Sequence, residues 1–233
     1  MERFRALAAE YGVSQVHIAP ARRYAQPSGY ASKHLCWVPL ALLPGACCQI
    51  SLLMAYQPFH HRDDAQPDVS AFYVASNALY HVANKLAAAL QEQGHQALRA
   101  ELPAKTALLS SGLGSVGSNS LVSVAGFGSR FTVQWLISDA FEVDEREDVE
   151  EGAVCIRCGR CQKVCPMRAI GREGLMVERC IRYRMMKDPM PETVKRRIPS
   201  LLGCEMCQAV CPRNEMVKPK PMPQELADLV TYD

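Results

Sequence analysis

Several absences narrow the reading of this chain. Its first eleven residues are charged and helical in pattern, without the apolar core or cleavage site of a secretory leader. That argues against export, and so against a disulfide framework for its cysteines. Residues 35–56 are uncharged and reach the length of a bilayer span. Pro39, Pro44, Gly45, Gln49 and Ser51 interrupt them, and a lipid-exposed helix does not accept such breaks. A buried strand after a Pro-Gly turn is the expectation, in a cytoplasmic protein without membrane contact, where thiols stay reduced. The net charge of +2 offers no overall attraction to a polyanion, and aromatic residues are only 7% of the chain. Too few of them lie among the arginines for base stacking.

Cysteine is abundant instead. Seven of eleven fall in two runs, Cys155-x2-Cys158-x2-Cys161-x3-Cys165-Pro166 and Cys204-x2-Cys207-x3-Cys211-Pro212. The first is the bacterial ferredoxin spacing, in which three thiolates hold one [4Fe–4S] cluster and the fourth crosses to another. The second run is one short, with Leu201 where a cysteine would complete it. Two cubanes need eight thiolates, and Cys180, between the runs, is the natural eighth. Structural zinc also uses CxxC pairs, but it requires neither the third cysteine three residues on nor the closing Cys-Pro. The remaining cysteines, Cys36, Cys47 and Cys48, read as small apolar residues. His81 has no second His or Cys at i±4 and reads as a packed helix histidine. Met185, Met186 and Met190 are expected to pack around a cluster.

Charge is unevenly spread. Residues 142–151 hold seven acids against Arg146 alone, which reads as a solvated linker. Residues 155–197 hold twelve Lys/Arg against four Asp/Glu. That excess fits either a nucleic-acid face or compensation for the negative charge of thiolate-bound clusters; both readings stay open here.

Phe4, Leu7, Ala8 and Tyr11 mark an opening helix closed by Gly12, and residues 13–19 a short strand. Residues 22–33, with Pro27 and Gly29, read as a loop. Ile50, Leu52, Met54 and Tyr56 alternate as a strand does, as do Phe131, Val133, Trp135 and Ile137. A turn is expected over residues 63–68. Ser70 then caps a long helix whose stripe is Phe72, Ala75, Leu79, Val82, Leu86 and Leu90, ended by Gly94. The pattern is not strictly βαβ. It implies an α+β chain: residues 1–145 as a layered α/β-sandwich domain, 146–215 as a ferredoxin-like two-cluster domain, and 216–233 as a tail. Gly112, Gly114 and Gly117 satisfy the dinucleotide fingerprint literally, but no helical stripe follows them, so a dinucleotide site is not expected.

Taken together, the cysteine runs and the glycine loop resemble the epoxyqueuosine reductase family, corrinoid-dependent iron–sulfur enzymes of tRNA modification distantly similar to reductive dehalogenases. The likeness lies in Leu43-Pro-Gly-Ala-Cys-Cys-Gln-Ile, Tyr80-His-Val, Ser111-Gly-Leu-Gly-Ser-Val-Gly-Ser-Asn-Ser-Leu and Gly128-Ser-Arg-Phe. It continues through the cysteine runs, Cys180-Ile-Arg-Tyr, and Gly203-Cys-Glu-Met-Cys-Gln-Ala-Val-Cys-Pro-Arg-Asn. The resemblance implies one cluster on Cys155, Cys158, Cys161 and Cys211, and another on Cys165, Cys180, Cys204 and Cys207. It implies base-off cobalamin between the domains, near the second cluster and the glycine loop, touching Gly112, Gly114, Gly117, Ser118, Asn119, Ser120, Arg182 and Tyr183. A ferredoxin or flavodoxin as electron donor and tRNA as substrate follow from the same likeness.

There are departures. Where the family has a proton-donating Asp, this chain reads Arg99-Ala-Glu101, leaving Glu101 as the catalytic acid, set against a plain solvated glutamate. The family's loop Lys is Ser118 here, and its Asp before Tyr-His is Leu79. The chain closes about twenty residues after Cys211, short of the helical tRNA-binding extension of many members. The rival readings are a ferredoxin-like electron carrier and a non-catalytic nucleic-acid binder.

Overall fold

The computed structural model describes residues 1–26, 35–56, 71–143, 155–187, 189–197, 203–215 and Lys218. The expected features at Pro27, Gly29, residues 63–68, Ser70, most of the acidic stretch, Leu201 and nearly all of the tail lie outside these residues.

Four strands form one antiparallel sheet in the order β1 (Gln15–Pro20), β2 (Cys48–Ala55), β6 (Phe131–Ser138), β3 (Ala97–Ala100). β2 and β6 pair along their whole length, from Cys48 opposite Ser138 to Ala55 opposite Phe131. All eight residues of β2 are buried, because both faces of the sheet are covered. That burial explains the long uncharged stretch in the sequence. No helix among the described residues is long and apolar enough to cross a membrane.

On one face, Ile50, Leu52, Met54 and Leu136 meet α1 (Glu2–Glu10) and α3 (Ala71–Glu92). α3 turns Leu79, Val82, Leu86 and Leu90 onto the sheet, each at most 2% exposed. At about 1.5–3 kcal/mol per buried side chain, these four contribute about 6–12 kcal/mol of gross stabilisation, so α3 is the main clamp on the sheet. On the other face, Leu53, Trp135 and Ile137 pack with Leu108 of α4 (Ala104–Ser110) and with Val122 and Val124. The expected alternation of Phe131, Val133, Trp135 and Ile137 is observed on that face. The α+β class is borne out.

The glycine loop does not lead into a helix. It forms a hairpin of β4 (Ser115–Val116) and β5 (Val122–Ser123). Gly114, at φ 113°, has no room for a side chain: a Cβ there would lie 2.7 Å from the Ser123 carbonyl oxygen. A dinucleotide turn is excluded by this geometry, since the chain after the loop forms strand β5 and not a helix.

The cysteine-bearing segment follows as short pieces: α5 (Arg160–Val164), the ribbon β7 (Ile170–Gly171) and β8 (Gly174–Leu175), α6 (Ile181–Arg184), α7 (Glu192–Lys195) and α8 (Met206–Ala209). α5 and α8 pack together, which brings the two runs side by side.

Candidate metal centres

Cys155 and Cys158 come from the segment leading into α5, Cys161 from α5 itself, and Cys211 from the end of the second run. All four line one cavity, whose wall on the sheet side carries Ser118 and Ser123. About fifty residues separate Cys211 from the other three, so only tertiary packing unites them. The Ser118 hydroxyl lies 3.5 Å from Cys155 Sγ. That bond, with backbone bonds at Ser118 and Arg157, holds the Cys155 thiol below its ordinary pKa against the opposing effect of burial. Burial pushes Cys161 up, and Cys155 and Cys158 add to this through like-charge repulsion.

The other thiols gather nearby. Cys204 is pushed up first by burial and then by the charges of Cys180 and Cys165. Cys207 is pushed up to about 12, by burial and then by Cys204, Cys180, Cys161 and Cys165. Cys180, Cys165, Cys204 and Cys207 are therefore within charge range of one another, and Cys161 reaches Cys207 from the first group. The two sites adjoin. Cys165 Sγ accepts a hydrogen bond from the Ala169 N–H at 3.2 Å, and such donors to sulfur stabilise a thiolate-bound cluster.

A buried polar seam fixes this segment to the sheet. Asn214, 1% exposed, accepts the Ser129 N–H at 2.7 Å and donates to the Gln208 carbonyl at 2.8 Å. The Gln208 amide donates to the Ser129 carbonyl at 2.6 Å, and the Tyr56 hydroxyl donates to the Gln208 side-chain oxygen at 3.4 Å. Burial raises the Tyr56 pKa, so its hydroxyl remains a donor. Gly128, at φ 56°, lets the chains touch: a Cβ there would meet the Asn214 side-chain oxygen and lie 2.6 Å from the Arg213 carbonyl. Glu205, between Cys204 and Cys207, accepts the Phe72 N–H at 3.3 Å. A carboxylate thus satisfies an orphan donor in the first turn of α3 and complements its dipole.

The other expected site residues divide between two places. Ser118 faces Cys155; Asn119 accepts the Leu121 N–H at 3.2 Å; Ser120 accepts the Leu175 N–H at 3.1 Å. Arg182 lies over the Tyr73 ring at 5.0 Å, and Lys187 donates to the Tyr183 hydroxyl at 3.0 Å. Every polar side chain assigned to a corrinoid by resemblance is engaged within the protein, and Gly114 packs against β5. Glu101 is ion-paired with Arg99 and 47% exposed, the solvated arrangement rather than an apolar pocket. Met186 is 74% exposed, so it does not pack around a cluster; its position after α6 turns it to solvent. His81 meets the Tyr80 ring edge-on, 5.4 Å between centroids, as a packed helix histidine does. The sequence alone gave no role to Ser123, Gly128, Gln208 or Asn214, although Gly128, Gln208 and Asn214 stand in stretches that carry the family likeness.

Residues 154–214 match the family model described as 4Fe-4S double cluster binding domain. Over 203 residues the chain is 32% identical to the epoxyqueuosine reductase of Pseudomonas aeruginosa, covering 78% of this chain and 55% of that one. This chain is related to the epoxyqueuosine reductases. It spans 30%, 55% and 63% of the length of three curated relatives that it matches. Its fold is that of an epoxyqueuosine reductase solved with an epoxyqueuosine-modified tRNA-Tyr stem loop: TM-score 0.74, 20% identity, 97% of this chain and 68% of that one. A catabolic reductive dehalogenase in complex with 3-bromo-4-hydroxybenzoic acid shares the fold more distantly. The TM-score is 0.55 at 18% identity, over 97% of this chain and 33% of that one.

Proposed function

We propose that this chain is a cytoplasmic two-cluster iron–sulfur reductase of the epoxyqueuosine reductase type. In this reading one [4Fe–4S] cluster sits on Cys155, Cys158, Cys161 and Cys211, and the other on Cys165, Cys180, Cys204 and Cys207. The observation that carries the proposal is the shared cavity of Cys155, Cys158, Cys161 and Cys211, which pairs cysteines from both runs as a two-cluster ferredoxin does. The donor set fits cubanes: four sulfur ligands per site, with hydrogen-bond donors at Cys155 and Cys165. Residues 146–215 form the cluster domain in this reading, and residues 1–145 its partner.

When bound, the cubanes supply one-electron transfer. The protein's own part is division of environment. Cys158 is exposed, which leaves the first site open to an electron donor such as a ferredoxin or flavodoxin. Cys165, Cys180, Cys204 and Cys207 are each half-buried, so none of the second site's cysteines is as open to solvent as Cys158. Cys161 of the first site lies within charge range of Cys207 of the second, close enough for the two sites to serve as one path. The family likeness makes cobalamin the acceptor and a modified tRNA the substrate.

Anaerobic reconstitution with iron and sulfide is expected to load about eight irons per chain, and Cys180→Ala about four. Zinc without iron, or full iron in Cys180→Ala, overturns the ligand assignment. Added cob(II)alamin should bind at micromolar concentration and show no axial-nitrogen splitting by electron paramagnetic resonance. Eight irons without cobalamin binding would move the reading to an electron carrier.

A further inference from the structure

The glycine-loop hairpin is a wall of the first cysteine cavity. Ser118 and Ser123 both line it, with Cys155, Cys158, Cys161 and Cys211. Ser118 Oγ is 3.5 Å from Cys155 Sγ. Either atom could donate in the free thiol, but a cluster-bound cysteine is a thiolate with no proton, so the hydroxyl must donate. Ser123 is 8% exposed, and its hydroxyl has no hydrogen-bond partner among the described residues. A buried hydroxyl without a partner is costly, and sulfur ligands in the same cavity are the acceptors within its reach once a cluster is bound. Gly114 makes this geometry possible. Any side chain there would strike the Ser123 carbonyl and push β5 out of the wall.

We propose that Ser118 and Ser123 donate hydrogen bonds to sulfur atoms of the cluster held by Cys155, Cys158, Cys161 and Cys211. This raises that cluster's reduction potential. The physical reason is charge: reduction adds one negative charge to the cluster, and donors aimed at its sulfurs stabilise the more negative form. The inference rests on the proposed ligand set. It assigns the loop's fingerprint-like glycines to shaping a cluster wall.

The test is a redox titration followed by electron paramagnetic resonance on Ser118→Ala, Ser123→Ala and Ser118→Thr, each in the Cys180→Ala background, where one cluster remains. Each alanine variant should keep about four irons. At fixed potential each should show a reduced-to-oxidised ratio lower by up to about tenfold, about 59 mV for one electron. Ser118→Thr, which keeps the hydroxyl, should titrate as the parent does. Unchanged midpoints with full iron overturn the inference while leaving the ligand set intact. An equal shift in Ser118→Thr, or iron loss in all three variants, also overturns it, because the hydroxyl would not be the cause. A parent that takes up no iron overturns the proposed function instead.

Discussion

Asn214→Ala tests the seam that holds the cluster segment on the sheet. Asn214 is 1% exposed, and its side chain satisfies the Ser129 N–H at 2.7 Å and the Gln208 carbonyl at 2.8 Å. Truncation leaves the buried Ser129 N–H without its partner, at about 1–3 kcal/mol, while the Gln208 carbonyl keeps the Cys211 N–H at 3.2 Å and loses one bond of about 1 kcal/mol. Allowing for partial relaxation, the loss is about 2–4 kcal/mol. For a chain of this size, 1 kcal/mol moves the thermal midpoint by about 2–4 °C, so a fall of about 5–15 °C is expected. The assay is an anaerobic thermal scan of the iron-loaded protein at one fixed scan rate, since unfolding that sheds clusters is not reversible. Ser129→Ala serves as control. It removes only the hydroxyl contacts to Asn214, at 3.2 and 3.5 Å, and should cost about 1 kcal/mol or less. A midpoint for Asn214→Ala within about 2 °C of the parent would refute the reasoning, because burying one unpaired backbone N–H and losing a second bond is not that mild.

Two further outcomes follow from the same geometry. Gly128→Ala should destabilise at least as much as Asn214→Ala, since it combines a left-handed backbone costing about 1–2 kcal/mol with collision against the Asn214 side chain and the Arg213 carbonyl. A thermal midpoint equal to the parent's would show that the two chains can part without loss. Glu101→Gln should leave turnover of an epoxyqueuosine-bearing stem loop close to the parent rate, because Glu101 is half exposed and paired with Arg99. A fall of about tenfold or more at full iron content, about 1.4 kcal/mol of barrier, would restore Glu101 as the proton donor.

What could be read from the sequence were the features that repeat over short distances. β2 and β6 alternate with period two and α3 with period 3.6, so their buried faces follow from the residues themselves. The cysteine runs are likewise local: ligand spacing is set by turn geometry around each cluster. What could not be read has its partner far along the chain. Glu205 serves the first turn of α3 across 133 positions, and Ser129 meets Asn214 across 85. No periodicity announces such pairs, because each end is an ordinary polar residue until the fold removes its water. The purpose of the glycine loop was hidden for a related reason. Its spacing resembles a nucleotide turn, but Gly114 answers the Ser123 carbonyl, and small residues permit a close approach without saying to what. The same asymmetry separates the two kinds of site residue. Most of the thiolates recur at close spacing within a run, so the cysteines were visible even though Cys211 joins its cavity from about fifty residues away. The hydroxyls that would tune it need only reach the cavity wall, and Ser118 and Ser123 reach it from a hairpin that the cysteine pattern does not mention.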